Sequence, residues 1–366
     1  SGCGEGYGYY AKIVWSGRTM SGAYKWPTPP TKKKLDGWAT TKGGTVVYPN
    51  TGVSNDKVTS NITLYAVYSD FHWYDDWEYT LNNTDHTILL KEYNGEETTY
   101  TIPSSAKIDG NTYKTAIGEW SSGYPYIAQL NTGTITNLSI QTGVKIYNNL
   151  LRKLFYGMKN LKSIDFSNLD TSNVTDTYCM FYDCSSLTAL DISNFNTSKV
   201  TNMNSMFSGC SKLTSLNVSN FNTSKVTDMN GMFFNCSNLT ALDVSNFDTS
   251  KVTDMSNMFT DCSNLTALDI SHFNTNKVTR MGSMFYRCSN LTVLDVSNFN
   301  TSNVITMNGM FYGCSNLTTL DLSNFDTSNV TGMGMSLMFY RCSNLTALDV
   351  SNFDTSKVTD MSNMFT

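Results

Sequence analysis

Leu239-Thr-Ala-Leu242-Asp-Val244-Ser-Asn-Phe247-Asp-Thr-Ser-Lys-Val252-Thr-Asp-Met255-Ser-Asn-Met258-Phe259-Thr-Asp-Cys262 is one turn of a coil that this chain repeats down its second half. Leu242 and Val244 lie two apart, so both point inward from a short strand while Asp243 and Ser245 face out. Asp248-Thr249-Ser250 has turn chemistry. Val252 and Met255 return along a second extended stretch, and the spacing of Met255, Met258 and Phe259 predicts one helical turn with an inward face. Cys262 closes the coil before the next leucine.

The unit recurs with little change. Cysteines stand at 184, 210, 236, 262, 288, 314 and 342, a step of 26 residues five times and then 28. The longer step carries a two-residue insertion around Gly332-Met333-Gly334-Met335. Leucines at 187, 213, 239, 265, 291, 317 and 345 keep the period. Counting back, Leu161 opens one more unit, and Ile135, Leu138 and Ile140 open a degenerate one with Phe155 and Met158 in register. A fixed period in the twenties means that each unit makes one coil and buries its apolar face only against its neighbours. Residues 134–366 are therefore expected to form a mainly β solenoid with short helical turns. Residues 134–160 read as a degenerate cap repeat, followed by eight repeats. The last is truncated at Met364-Phe365-Thr366, as in a piece of a longer protein.

The Leu-x-x-Leu-Asp-x-Ser core joined to Val-Thr-x-Met-x-x-Met-Phe-x-x-Cys resembles the BspA-like leucine-rich repeats of bacterial surface proteins. The resemblance implies surface display, adhesion or partner binding, and no catalysis. It does not name a ligand.

Composition breaks near residue 134. All six Trp and all six Pro precede Thr134, whereas 17 of the 18 Met and eight of the nine Cys follow it. Such a break marks a domain boundary. Within residues 1–70, Trp26-Pro-Thr-Pro-Pro, Gly37-Trp38, Gly43-Gly44 and Asn61-Ile-Thr-Leu-Tyr-Ala-Val-Tyr68 resemble the Listeria–Bacteroides repeat, a small β-grasp-like module of secreted proteins. Ile62, Leu64 and Ala66 are expected on one face of a strand, with Trp38 anchoring the small core. Residues 71–133 read as a β-rich collar, in which Asn94-Gly95 and Asp109-Gly110 turns flank hairpin strands at 98–102 and 112–116.

Several function classes fall away. A net charge of -5 and only 15% charged residues leave no basic stripe for nucleic acid. No apolar stretch approaches the roughly 18 residues that span a bilayer, so no membrane insertion is expected within the chain. No charged-then-apolar leader opens the sequence, so any signal peptide is expected to have been removed or to lie upstream. The three His (72, 86, 272) sit in no metal-ligand or nucleophile-base spacing, and His272 takes the slot that Asn246 and Asn298 hold in neighbouring units. The Gly2, Gly4, Gly6, Gly8 run lacks the strand-to-helix setting of a phosphate loop. Neither an enzyme nor a cofactor is expected.

The repeated columns have bland and sharp readings. Single cysteines per coil suit neither zinc nor a disulfide ladder and read as buried, reduced apolar groups, with Cys179, five residues from Cys184, the one candidate for a local bridge. Met pairs such as Met255 and Met258 read as core beside Phe259. Asp165, Asp191, Asp243, Asp269, Asp295, Asp321 and Asp349 share one outward slot. These carboxylates either cap turns or bond backbone amides of the next coil. The alternative is a cation stripe, with Asp243, Asp269, Asp295 and Asp321 as calcium ligands.

Two slots vary between repeats. One runs Tyr182, Ser208, Phe234, Thr260, Tyr286, Tyr312, Tyr340, and the next Asp183, Gly209, Asn235, Asp261, Arg287, Gly313, Arg341. We expect these slots to be exposed and Tyr286, Arg287, Tyr312, Tyr340 and Arg341 to form a ligand surface, since Tyr and Arg dominate binding hot spots. The competing reading is that the rings cover the edge of the core. The sequence thus points to a monomeric, secreted or cell-surface, adhesin-like protein. Its expected partner is a surface protein or glycan of a host or neighbouring cell. The alternatives are a structural spacer of the envelope or the non-catalytic arm of a larger secreted protein.

Overall fold

The computed structural model describes residues 72–118 and 134–365 throughout, together with Val46 and six strands before residue 72. The Gly2–Gly8 run, Cys3, Trp26 and residues 119–133 of the collar lie outside the described residues. The chain divides into two units, Ser1–Asp76 and Trp77–Thr366.

In the first unit, β1 (Tyr10–Ile13), β3 (Lys33–Ala39), β4 (Tyr48–Pro49) and β6 (Ile62–Asp70) form an antiparallel sheet in the order β1-β6-β3-β4. β2 (Thr19–Met20) pairs separately with β5 (Ser54–Lys57). The strand expected around Ile62 is present and receives partners on both edges, Tyr10 opposite Tyr65 and Trp38 opposite Ala66. Trp38 is buried.

The second unit begins with β7 (Trp77–Asn82), β8 (Thr87–Tyr93), β9 (Thr99–Ile102), β10 (Ser105–Ile108) and β11 (Asn111–Ile117). Asp109 and Gly110 close the β10–β11 hairpin with φ of 49° and 81°, both positive as the tight primed turns require. The chain after Asn94-Gly95 differs from the expected hairpin. β9 does not return along β8; it pairs in parallel with β12 (Asn137–Ile140), which pairs in parallel with β14 (Ser163–Asp165). The parallel ladder of the solenoid thus starts at Thr99, inside the collar. β13 (Lys145–Ile146) likewise adds in parallel to β11. The reason lies in side chains: Trp77, Tyr93 and Tyr100 form a buried cluster in which the Trp77 indole donates to the Tyr100 hydroxyl at 3.0 Å, and Ile102 beyond it is fully buried.

From residue 134 the chain is a repeat solenoid, mainly extended and turn-rich. Val252, Met255, Met258, Phe259, Cys262 and Leu265 are each 0% exposed, and the equivalent residues of neighbouring coils follow suit. Phenylalanines 155, 181, 207, 233, 259, 285, 311, 339 and 365 stack ring on ring at 5.3–5.8 Å. One coil therefore presents each ring to the next, and burial accumulates along the axis.

The expected helical turn is absent. Met258 N–H bonds back to the Met255 carbonyl at 3.3 Å, but Asn257 between them has φ of 58°, in the left-handed region. Cys262 N–H bonds to the Phe259 carbonyl at 3.1 Å across Asp261, whose φ is 57°. A positive φ at the third residue makes each a reverse turn in place of a helical one. The geometry frees alternate amides to point along the axis. Met255, Asn257, Phe259 and Asp261 donate to Arg280, Gly282, Met284 and Tyr286 of the next coil at 2.7–3.0 Å. This Met–Phe side carries the densest backbone bonding between coils. On the Leu-Asp-Val side the β12–β14 ladder gives way beyond Asp165 to isolated bridges, such as Ala267 with Val293.

Side chains close the other corners. Thr197 donates its hydroxyl to the Asn222 carbonyl (3.0 Å) and accepts the Asn222 amide (2.7 Å), and Thr223, Thr249, Thr275, Thr301 and Thr327 likewise donate to the coil that follows.

Candidate functional site

The two columns singled out for their variation lie where the backbone turns sharply. Every residue one step past the tyrosine slot has positive φ: Asp183 59°, Gly209 77°, Asn235 53°, Asp261 57°, Arg287 55°, Gly313 69°, Arg341 60°. Backbone geometry, not freedom from the core, therefore selects Gly, Asn and Asp here. Arg287 and Arg341 are the two members that this logic does not provide.

Tyr286, Tyr312 and Tyr340 come together, half-buried where exposure was expected. The cause is mutual cover. Tyr286 and Tyr312 stack at 4.2 Å with planes 14° apart, and Tyr312 and Tyr340 at 5.0 Å and 21°. Arg287 and Arg341 are exposed. The Arg287 guanidinium carbon lies 5.2 Å from the Tyr286 ring centre and 5.9 Å from that of Tyr312, while Arg341 lies 5.4 Å from Tyr340. One glycine makes room: a Cβ at Gly313 would sit 3.3 Å from Arg287 Cγ. Burial, joined by a hydrogen bond with Tyr312, pushes the Tyr286 phenol up, so it stays protonated and remains a donor. Burial also raises the Asp261 carboxyl against the pull of Arg287, whose guanidinium is 3.9 Å away.

The same column holds a second stack that the sequence reading did not single out. Tyr156 and Tyr182 lie 4.7 Å apart with planes 6° apart, and Lys153 reaches over Tyr156 and Tyr178 at 5.6 Å from each ring centre. Counting 26 residues back from Tyr182 finds Tyr156, within the degenerate repeat. Ser208, Phe234 and Thr260 separate the two stacks.

Asp243, Asp269, Asp295 and Asp321 are exposed, and each accepts the amide two residues on: Ser245 (2.9 Å), Ser271 (3.1 Å), Ser297 (2.9 Å) and Ser323 (2.9 Å). The carboxylates cap turns of their own coil. Hydrogen bonds from Ser245, Ser271 and Ser297, hydroxyl before amide, and from the Ser323 amide and hydroxyl hold all four below the usual carboxylate range. Among the described residues, no group of three or more His, Cys, Asp or Glu is placed to hold a metal. Lys199 and Lys357 reach the preceding coil's Asn173 (2.6 Å) and Asn329 (3.2 Å).

His272 does what its slot predicts. Its Nε2 lies 3.0 Å from the Val244 carbonyl, the bond that Asn246 makes to Val218 at 3.1 Å one coil earlier. Cys179 and Cys184 are both free and buried, so no local bridge forms. Thiols of the column donate to the preceding coil, as Cys262 does to the Phe233 carbonyl at 3.1 Å. No helix among the described residues is long and apolar enough to cross a membrane.

Comparison with known proteins gives one family. The model of DUF285, described as Mycoplasma protein of unknown function, matches residues 149–264, 214–294 and 288–366, together more than half of the chain. No curated protein matches the sequence. Among solved structures, the chain is similar to a leucine rich cell surface protein from Faecalibacterium prausnitzii A2-165, with 17% identity, 76% of this chain and 94% of that one covered, and a TM-score of 0.32. The leucine rich repeat protein of T. pallidum is 19% identical over 74% of this chain and 88% of its own, with a TM-score of 0.29. A leucine-rich repeat protein from Bacteroides ovatus ATCC 8483 is 15% identical over 80% and 100%, with a TM-score of 0.26.

Proposed function

Since the chain belongs to the DUF285 family of Mycoplasma proteins of unknown function, we propose that it is a non-enzymatic, adhesin-like binding protein of the bacterial cell surface. Its solenoid engages a protein or glycan of a host or neighbouring cell. One observation carries this reading: the Tyr286–Tyr312–Tyr340 stack with Arg287 and Arg341 along its edge. Tyr and Arg are the residues on which interface energy concentrates, because each brings a large rigid area with a polar tip. Support against catalysis comes from commitment of the reactive groups. The column thiols are bonded to carbonyls, and His272 is held to Val244.

The test is a binding screen of the full chain against extracellular-matrix proteins, mucins and glycans, beside a variant with Tyr286, Tyr312 and Tyr340 changed to Ser. Ser208 already occupies this slot, so the variant is expected to fold. A saturable hit lost in the variant supports the adhesin and its site. A hit retained by the variant moves binding elsewhere, and no hit with a folded chain favours the envelope spacer.

A further inference from the structure

Resting on the site just proposed, we infer that the Tyr–Arg edge takes an acidic protein segment in polyproline II conformation, with carboxylates three residues apart. The stack itself narrows the ligand. Because Tyr286, Tyr312 and Tyr340 lie face to face, both faces of Tyr312 and the inner faces of the other two are spent on one another. A sugar that packs its C–H face on open aromatic rings is left only the outer faces of the two end rings, and each of those rings has a guanidinium over it. What the edge offers is two guanidiniums beside phenol hydroxyls, with Tyr286 already hydrogen-bonded to Tyr312; the Arg287 side chain is 55% exposed and faces Asp261 at 3.9 Å, which engages only part of its five-donor fork.

The two arginines are costly placements. A left-handed backbone disfavours residues other than Gly, Asn and Asp. The slot nevertheless departs from those types twice, at φ of 55° and 60°, each time beside a tyrosine. Gly313, between them, keeps the floor open where a Cβ would press on Arg287 Cγ at 3.3 Å. Toward the N-terminus the same slot runs Asp183, Gly209, Asn235, Asp261, so in this slot positive charge is confined to the coils of the Tyr286–Tyr312–Tyr340 stack. A planar guanidinium fork suits a carboxylate.

Spacing then selects the segment. Arg287 and Arg341 are two coils apart, about 9.6 Å at the usual strand separation. In a β-strand, residues three apart point to opposite faces. In polyproline II they fall on one face after one turn of about 9.3 Å. The unpaired carbonyls of that helix accept readily from tyrosine hydroxyls.

The test measures fluorescence anisotropy of labelled (Glu-Pro-Pro)4 titrated with the full chain, beside (Gln-Pro-Pro)4 and (Glu-Pro)6. We expect saturable binding of the first, none of the second and weaker binding of the third. Arg287→Gly and Arg341→Gly should each weaken binding about tenfold or more. Neither should lower the unfolding midpoint, since Gly209 and Gly313 already occupy the slot. Four results overturn the inference: no binding of (Glu-Pro-Pro)4, equal binding of the Gln peptide, indifference to both substitutions, or tighter binding of polygalacturonate. If these occur while a matrix-protein hit still depends on the three tyrosines, the acidic ligand falls and the binding site stands. A hit indifferent to the tyrosines removes both.

Discussion

The thiol of Cys236 donates a hydrogen bond to the backbone carbonyl of Phe207, 3.2 Å away and one coil earlier. Burial drives the Cys236 pKa up to about 12, and Cys184 likewise to about 12, while Cys210, Cys262, Cys288 and Cys314 rise well above the ordinary value. The sign for stability follows. Unfolded thiols ionise above pH ~8.5 while folded ones stay protonated, so the folded state binds more protons there. The thiols' contribution is complete below that pH and is lost as pH climbs toward the folded values. Each buried thiol should remove about 1.4 kcal/mol per pH unit in that window. Urea midpoints should therefore drop steeply between pH 8.5 and 10.5. Cys262→Ser, which keeps a donor for Phe233, should cost roughly 1 kcal/mol at pH 7 and lessen the alkaline decline by one thiol's share, about 1.4 kcal/mol per pH unit. A midpoint that stays level to pH 10.5 would contradict this.

Two glycines separate conformational strain from steric clash. Gly157 has φ of 73° and open space where a Cβ would go, whereas a Cβ at Gly209, φ 77°, would meet Asp183 Cα at 3.0 Å and Asp183 N at 3.1 Å. Gly157→Ala should cost about 1–2 kcal/mol through the left-handed backbone alone. Gly209→Ala should cost at least about 1 kcal/mol more, because backbone cannot swing aside. Equal losses by chemical denaturation would mean that the coils slide apart freely.

The period, the core and the bland roles of the Cys, Met and His272 slots were legible because a solenoid turns sequence spacing directly into stacking. Leu242, Val244 and Met255 face inward as their spacing says. What stayed hidden was conformational. A slot filled by Cys179, Ser205, Gly231, Asn257, Ser283, Gly309 and Leu337 has no shared chemistry, yet all seven have φ between 53° and 60°. Only the paired turns explain it, and those turns displaced the expected helix. The tyrosine column could be counted in the sequence, but not that its rings would stack on each other. β9 escaped because its partner, Asn137–Ile140, lies 38 residues away, beyond any local turn signal.

Exposure divides the methionines. Met333, in the two-residue insertion, is 63% exposed and Met361 45%, while Met203, Met229, Met255, Met281 and Met307 are 0% exposed. Thioether oxidation follows access. Mild peroxide followed by peptide mass analysis should find sulfoxide first at Met333 and Met361, with the column methionines modified only after unfolding. Early sulfoxide at Met255 would show that the middle coils open in the native state.

The aspartate column tests whether like charges along a solenoid call for a cation. Asp243 spends one oxygen on the Ser245 amide, and Asn217, in the same slot, makes the same bond to Ser219 at 3.0 Å. The slot therefore works without a negative charge. Asp243→Asn should leave the melting temperature unchanged, whereas Asp243→Ala, which loses the turn, should lower it. The acid side has a definite sign. Hydrogen bonds from Ser245 depress the folded carboxyl pKa below 3.8, so its stabilisation is present above that value and disappears as pH falls through the folded one. Asp243→Asn should accordingly make the acid limb below pH ~4 shallower by one carboxylate's share and change nothing above it. Calcium added at neutral pH should shift the melting temperature little, since the carboxylates already have partners in their own turns. A large, saturable rise that vanishes when Asp243, Asp269, Asp295 and Asp321 become Asn would instead make the stripe a cation site, and the turn bonds secondary to it.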